Sequence, residues 1–373
     1  MAAALVEAHG LTTGLFTSPH LHRVEERYEV GGAAMTPEEF GVAMATLAPI
    51  VEFFEQRSGE GVTYFELTAA LAYSWFAERA VEVGVIETGL GGRLDATRAA
   101  PGEVSVVTTI GLEHTEYLGD TIPEIAAEKM AILPDGGILV TGRLDPEAAA
   151  VAERTVSERG ASWLRLGHDL RVWGESPIAT GWSLDVEAPH AAYPGLVLGV
   201  HGRHQLDNLA VAIGSVEALL GRPLDREAVR RAAATVTCPG RMEVVLRDPV
   251  LMVDGAHNPP GTAALVAALA EEFTGIRWQV VFGAMADKDV AAMLEALRPV
   301  IAGIHAVGAA TGRAIPASEM AAMASTVLGP GFPVTVAGGV ADGVRAATAS
   351  GGPVLVTGSL YVVGEARVAL GLA

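Results

Sequence analysis

The sequence predicts an α/β protein built from two doubly wound domains, the second the smaller. Three observations carry this. Short runs rich in Val, Ile and Leu alternate with longer amphipathic stretches along most of the chain. Several of those runs end in glycine with an acid or a histidine beside it. At 373 residues the chain exceeds one ordinary core, and a Pro-Gly linker, Thr237-Cys238-Pro239-Gly240-Arg241, separates two series of alternation. The expected domains are 1–236, a hinge at 237–241, and 242–373.

Taken in order, Met1 to Gly10 reads as the later part of an amphipathic helix ending at Gly10, with no capping residue ahead of it. A strand, Thr12 to Phe16, leads to Thr17-Ser18-Pro19-His20-Leu21. Helices follow from Pro37 to about Gln56, capped by Thr36, and from Tyr64 to about Arg79. Val81 to Ile86 has the apolar, β-branched character of a strand buried on both faces of a parallel sheet. It ends in Glu87 and a turn with Gly89, Gly91 and Gly92, where backbone can come close to a phosphate or substrate. A neighbouring buried strand, Val104 to Thr109, ends near Glu113 and His114. Then come a helix from Pro123 to Ile132 capped by Thr121, a strand from Ile138 to Thr141 and a helix from Pro146 to Arg159. Ala161 to Val200 alternates in short pieces and reads as an antiparallel excursion, followed by helices Gln205–Leu220 and Asp225–Ala234.

Past the linker, strands are expected at 243–246, 250–253, 279–282, 303–307, 333–336 and 354–357. Helices are expected at 261–272, 289–297, 317–328 and 340–348.

A net charge of −19 and a pI near 4.9 exclude a basic nucleic-acid face. The one cysteine, Cys238, excludes an internal disulfide and fits a reducing, cytoplasmic setting. No apolar run reaches the roughly 18 residues that span a bilayer, so no membrane partner is expected.

Glu87 suits Mg²⁺, which takes one or two protein ligands plus water and substrate phosphates. His114 is a less usual ligand and reads as readily as a structural side chain. Lys129 lies among Ile125, Ala126, Ala131 and Ile132; by residue physics alone it snorkels to water, although a partly buried lysine can become nucleophilic towards carbon dioxide. Asp254 and His257 follow another strand and lead into a helix with Asn258 as N-cap and Pro259 at its first position. Arg241 either reaches a phosphate or is a surface arginine. No Ser-His-Asp order, zinc-spaced cluster or catalytic carboxylate pair stands out, which leaves metal, phosphate and positioning chemistry.

These residues resemble folylpolyglutamate synthase, often bifunctional with dihydrofolate synthase, in the Mur ligase superfamily. The resemblance runs through TSPHL (17–21), TYFE (63–66), ETGLGGRLDAT (87–97), GLEHTEYLG (111–119), EKMAI (128–132), HQLDN (204–208), PGR (239–241), DGAHNP (254–259), FGAMADKD (282–289) and GSLYVVGE (358–365). It implies a P-loop-type central domain and a Rossmann-like C-terminal domain. The implied activity is an ATP-dependent ligase that adds L-glutamate to dihydropteroate and/or tetrahydrofolate through an acyl phosphate. It further implies two Mg²⁺ ions held at Glu87 and His114, and a carbamylated Lys129 that supplies a metal ligand, against the snorkelling reading. Asn208, Arg241 and Asp254 match nucleotide-contacting positions, with His257, a catalytic candidate, in the same loop. Thr63, Leu94, Asp95 and Ala96 match the pterin side. A monomer is implied. A Mur ligase acting on peptidoglycan precursors is the less favoured relative, for want of room for a third domain.

One departure stands out. The family's phosphate loop, GTNGKGS, and the strand before it have no counterpart, and neither GKS nor GKT occurs in the sequence. The expectation is an incomplete reading frame, with poor ATP binding and little turnover by the chain as given; the alternative is a non-catalytic folate- or nucleotide-binding paralogue.

Overall fold

The computed structural model describes residues 1–372. The chain divides into two units, one of 1–176, 183–198 and 204–236, the other of 177–182, 199–203 and the chain from 237 onward.

In the first unit, α1 (Ala2–Ala8) precedes β1 (Thr13–Phe16), which pairs antiparallel with β2 (Tyr28–Val30) and parallel with β4 (Val83–Ile86); β2 also pairs with β3 (Ala33–Ala34). Two helices lie between β3 and β4: α2 (Pro37–Ser58) and α3 (Tyr64–Glu78). Each opens with a capping box, Thr36 with Glu39 and Thr63 with Glu66, in which the threonine oxygen and the glutamate side chain satisfy backbone N–H groups reciprocally. The core here joins Phe16 and Tyr28 to Leu47 of α2 and to Leu71, Trp75 and Phe76 of α3.

A second sheet holds β5 (Val104–Val107), β6 (Ile138–Thr141) and β7 (Ser162–Arg165), all parallel, with α4 (Thr115–Leu118), α5 (Ile122–Met130) and α6 (Pro146–Arg159) in its connections. Its core gathers Val107, Ala126, Met130, Leu133, Leu139 and Val151. Strands β8 (Arg171–Ile178), β9 (Gly181–Glu187) and β10 (Ala192–Leu198) form a meander in the order β10-β9-β8, followed by α7 (His204–Leu220) and α8 (Arg226–Thr235).

Three expectations change. Val81–Ile86 is not a central strand buried on both faces: β4 is the edge of a sheet ordered β3-β2-β1-β4, and Gly84 within it is exposed. The strand from Val104 is not its ladder neighbour, because β5 is the edge of a different sheet and Val106 is left 39% exposed. Ser162–Arg165 belongs to a parallel sheet rather than to the antiparallel excursion. An apolar strand pattern reports a capacity for burial; whether both edges find partners depends on chain distant in sequence.

In the second unit, β11 (Glu243–Arg247) pairs antiparallel with β12 (Val250–Val253). There follow α9 (Pro259–Glu272), β13 (Trp278–Phe282), α10 (Val290–Leu297), β14 (Ile301–Ala306), α11 (Ala317–Leu328), β15 (Val334–Val336), α12 (Val340–Ala349), β16 (Val354–Thr357) and α13 (Leu360–Ala369). The sheet runs β11-β12-β16-β13-β14-β15, parallel from β12 onward. Helix α10 packs on both α9 and α11, and α12 packs on α13. Helix α13 lies outside the expected set, although Ser359 caps it by accepting from Val362 N–H. Among the described residues no helix is long and apolar enough to cross a membrane.

Candidate functional site

In the first unit the candidate site gathers around the turn after β4. Glu87 stands at the end of that strand, where its Oε2 accepts the Ser18 backbone N–H at 2.7 Å. The Thr17–Leu21 loop therefore meets the carboxylate, a contact the residue pattern did not suggest. Beside it, Arg27 Nε donates to His20 Nδ1 at 3.0 Å; burial first, and then the Arg27 charge, hold this imidazole below its usual pKa. A neutral His20 thus carries its proton on Nε2.

Asp95 organises the turn itself. Its Oδ2 accepts from Gly89 N at 3.1 Å and Leu90 N at 2.9 Å, while Oδ1 accepts from Thr97 N at 3.0 Å and Thr97 Oγ1 at 2.6 Å. One carboxylate closes both ends of the loop, and Leu94 at its tip is 82% exposed, with Ala96 half-buried. The glycines answer to packing. A Cβ at Gly89 would enter the Phe65 ring, one at Gly91 would meet Leu118 at 2.8 Å, and one at Gly92 would lie 2.7 Å from Glu128 O and 3.0 Å from Lys129 O. Gly91 also has φ +69°, which favours glycine.

Those contacts bring three predicted segments together. The loop after Glu87 lies against α4, which His114 precedes as N-cap, and against the last turn of α5, which carries Lys129. Arg93 secures the α5 contact: its N–H donates to Glu128 O at 3.1 Å and its Nε to Glu128 Oε1 at 2.7 Å. His114 is held at φ +53°, a sparsely populated conformation for a non-glycine residue. Lys129 is half-buried.

The donor chemistry fits a sparsely held Mg²⁺, with Glu87 as hard oxygen ligand and His114 on an adjoining segment. Among the described residues no group of three or more His, Cys, Asp and Glu side chains could hold a metal by itself, so water and substrate oxygens would complete the shell. Thr63, expected on the substrate side, has its hydroxyl committed to the α3 cap: it donates to Glu66 Oε2 at 2.6 Å and accepts from Glu66 N. Asn208 lies in the second turn of α7 and donates to Gln205 Oε1 at 2.9 Å.

The second unit brings Arg241, on the turn before β11, against the turn after β12 that carries Asp254 and His257. Asp254 is buried at the end of β12, its Oδ2 accepting from Met242 N at 2.9 Å and its Oδ1 from Ala256 N at 2.8 Å. Its first role is therefore to tie the start of β11 to the 254–258 turn. His257 Nδ1 donates to Gly255 O at 2.8 Å, which fixes the tautomer and leaves Nε2 as the ring's acceptor. Asn258 caps α9 as expected, accepting from Gly261 N at 2.8 Å. The Arg241 guanidinium lies against Gly255, where a Cβ would come within 3.0 Å of its NH1.

A family profile described as the Mur ligase glutamate ligase domain matches residues 240–360. The dihydrofolate synthase/folylpolyglutamate synthase of Mycobacterium tuberculosis is 34% identical over 405 aligned residues, covering 100% of this chain and 83% of that protein. The chain belongs to this family. The folylpolyglutamate synthase of Lacticaseibacillus casei is 33% identical over 373 residues, covering 99% of this chain and 86% of the relative. A crystal structure of the Mycobacterium tuberculosis folylpolyglutamate synthase with ADP and AMPPCP superposes with a TM-score of 0.92 at 33% identity, over 99% of this chain and 87% of that one. A folylpolyglutamate synthase complex with AMPPCP and folate gives 0.82 at 31% identity, over 98% and 85%.

Proposed function

We propose that this folylpolyglutamate synthase relative is an ATP-dependent ligase that joins L-glutamate to a pteroate or folate carboxylate. The observation that carries the reading is the convergence of the Glu87, His114 and Lys129 segments on one loop pinned by Asp95, within a family whose relatives bear that activity in their names.

A substrate carboxylate oxygen attacks the γ-phosphorus of ATP and ADP leaves, giving an acyl phosphate. The glutamate amine then attacks the acyl carbon, phosphate departs and the amine loses its proton. Mg²⁺ held at Glu87 and His114 would neutralise charge on the transferring phosphoryl group. Asp95 and Arg93 hold the loop against α5 while the exposed Leu94, with Ala96, offers an apolar surface for a pterin ring. Thr63 acts in this reading through its cap, orienting α3. Lys129, beside the Gly92 contact, is the candidate for carbamylation, which would turn an ammonium into an oxygen ligand. Asn208 in the first unit and Arg241 with Asp254 in the second are the candidate nucleotide-contacting residues. His257 Nε2 is the candidate acceptor for the proton lost by the amine.

The test is phosphate release that requires ATP, L-glutamate and an acceptor together, measured on this chain and on one extended through the family's phosphate loop, with dihydropteroate and tetrahydrofolate tried separately. Release dependent on all three supports the ligase and its better acceptor; release indifferent to glutamate sinks it.

A further inference from the structure

We propose that the outer face of α2 is an interface with a second copy of this chain, formed by two α2 helices packed antiparallel about a twofold axis. The inference goes beyond the ligase reading, does not rest on it, and departs from the monomer that the resemblance implies.

Helix α2 turns Ala43 and Leu47 inward, onto the core of Phe16, Tyr28 and α3. The opposite face of such a surface helix is ordinarily polar. Here Val42, Ile50 and Phe53 are 62%, 60% and 62% exposed, with the exposed Thr46 and Pro49 between them. Positions 42, 46, 49, 50 and 53 fall on one side of a helix. Single exposed apolar residues need no account, but a continuous stripe of them marks an interaction surface. Leu90, Leu94, Leu112 and Tyr117 are exposed too, yet they flank Glu87 and His114 and belong to the candidate site. Helix α2 carries no candidate site residue.

The stripe is complementary to itself. About the midpoint between Leu47 and Ala48, Val42 is symmetric with Phe53, Thr46 with Pro49, and Glu38 with Arg57. In an antiparallel pair with twofold symmetry each position meets its symmetric counterpart twice. Val42 of one protomer then packs on Phe53 of its partner, and the two charged positions meet at both ends with opposite sign. Glu38 and Arg57 are exposed, and neither has an ion-pair partner among the described residues. The remaining acids do not oppose one another: Glu52 falls opposite Ala43, Glu55 opposite Phe40, and Glu39 is already paired with Arg79. With 22 residues α2 is about 33 Å long and about 10 Å across, a footprint of about 330 Å² on each protomer. A standard interface takes roughly 800 Å² per partner. The face therefore suits a weak, concentration-dependent dimer rather than an obligate one.

The experiment is sedimentation velocity of the full chain over about 1–200 µM, in about 0.15 M salt so that charge beyond roughly 8 Å is screened. Wild type should move from monomer to dimer as concentration rises. Phe53→Glu should stay monomeric at the top of the range, with an unfolding midpoint near wild type. Charge tests the register. Glu38→Arg and Arg57→Glu chains, each alone, should associate about fivefold or more weakly, because each symmetric dimer then sets like charges together at both ends. An equimolar mixture of the two should regain wild-type association, since the mixed dimer has opposite charges at both ends. A monomer at every concentration overturns the proposal. So does a dimer that survives Phe53→Glu, or a mixture no tighter than its components. If this chain dimerises and one extended through the family's phosphate loop does not, the face is covered by the added segment and the proposal likewise falls.

Discussion

Replacing Gly92 by alanine adds one methyl group where three neighbours leave no room. Its carbon would lie 2.7 Å from Glu128 O, 2.8 Å from Ile132 Cγ2 and 3.0 Å from Lys129 O. Carbon contacts are optimal from roughly 3.5 Å, so the shortfall is about 0.7 Å against the side chain and about 0.5–0.8 Å against the two carbonyls. The carbonyls belong to the last turn of α5 and cannot swing aside as a side-chain tip would. Overpacking of this kind costs about 1–3 kcal/mol, and the backbone neighbours argue for the upper half of that range. Relief comes from moving the loop, and a displacement of about 1 Å at positioning residues can cost on the order of a hundredfold in rate. Gly111, with nothing within 4 Å of an added Cβ, is the control, expected to stay within about 0.5 kcal/mol of wild type. Urea unfolding of both variants reads stability, and ATP- and glutamate-dependent phosphate release reads function. Equal stability of Gly92→Ala and wild type would refute the claim that this glycine exists for close approach to α5.

Three further outcomes are expected. In a protein supplied with the family's phosphate loop, Glu87→Ala should abolish ligation while circular dichroism and the unfolding midpoint stay near wild type; near-normal turnover would remove Glu87 from the metal site. In the same loop-restored protein, Lys129→Ala should lose activity and regain part of it with formate or acetate, whereas full activity without either additive would make Lys129 structural. Glu29 is raised above the ordinary glutamate pKa, by burial first and by the Glu7 charge second. The folded state therefore holds its proton to higher pH than the unfolded chain does, so this residue's contribution to stability declines as pH rises through that window. Glu29→Gln should stabilise the protein at pH 7 and flatten the fall between acid and neutral pH; an unchanged pH profile would contradict the assignment.

Much of the site was legible as positions along the chain but not as a reason for each residue. Glu87 at a strand end, and Asn258 as a cap, follow from local pattern. Asp95 matched the substrate side through its motif, yet its four loop-closing hydrogen bonds connect residues that only the folded turn brings together. Thr63 was expected near substrate, and the S/T-x-x-E spacing with Glu66 already held the cap that occupies its hydroxyl. His20, Arg93 and Glu128 gave no local signal, because their partners lie in other segments or across the loop.

By itself the sequence determined the α/β alternation, the capped starts of α2, α5 and α9, and the full extents of β6, α6, β12, α11 and β16. Those features depend on side-chain period and on hydrogen bonds within a few residues, so the local chain contains the physics. The tertiary structure decided that β4 and β5 are edges of separate sheets, that β7 runs parallel to β6, and that the glycines after Glu87 admit Phe65 and α5. Each of these is a contact between distant segments, whose free energy exists only once both surfaces are folded and facing.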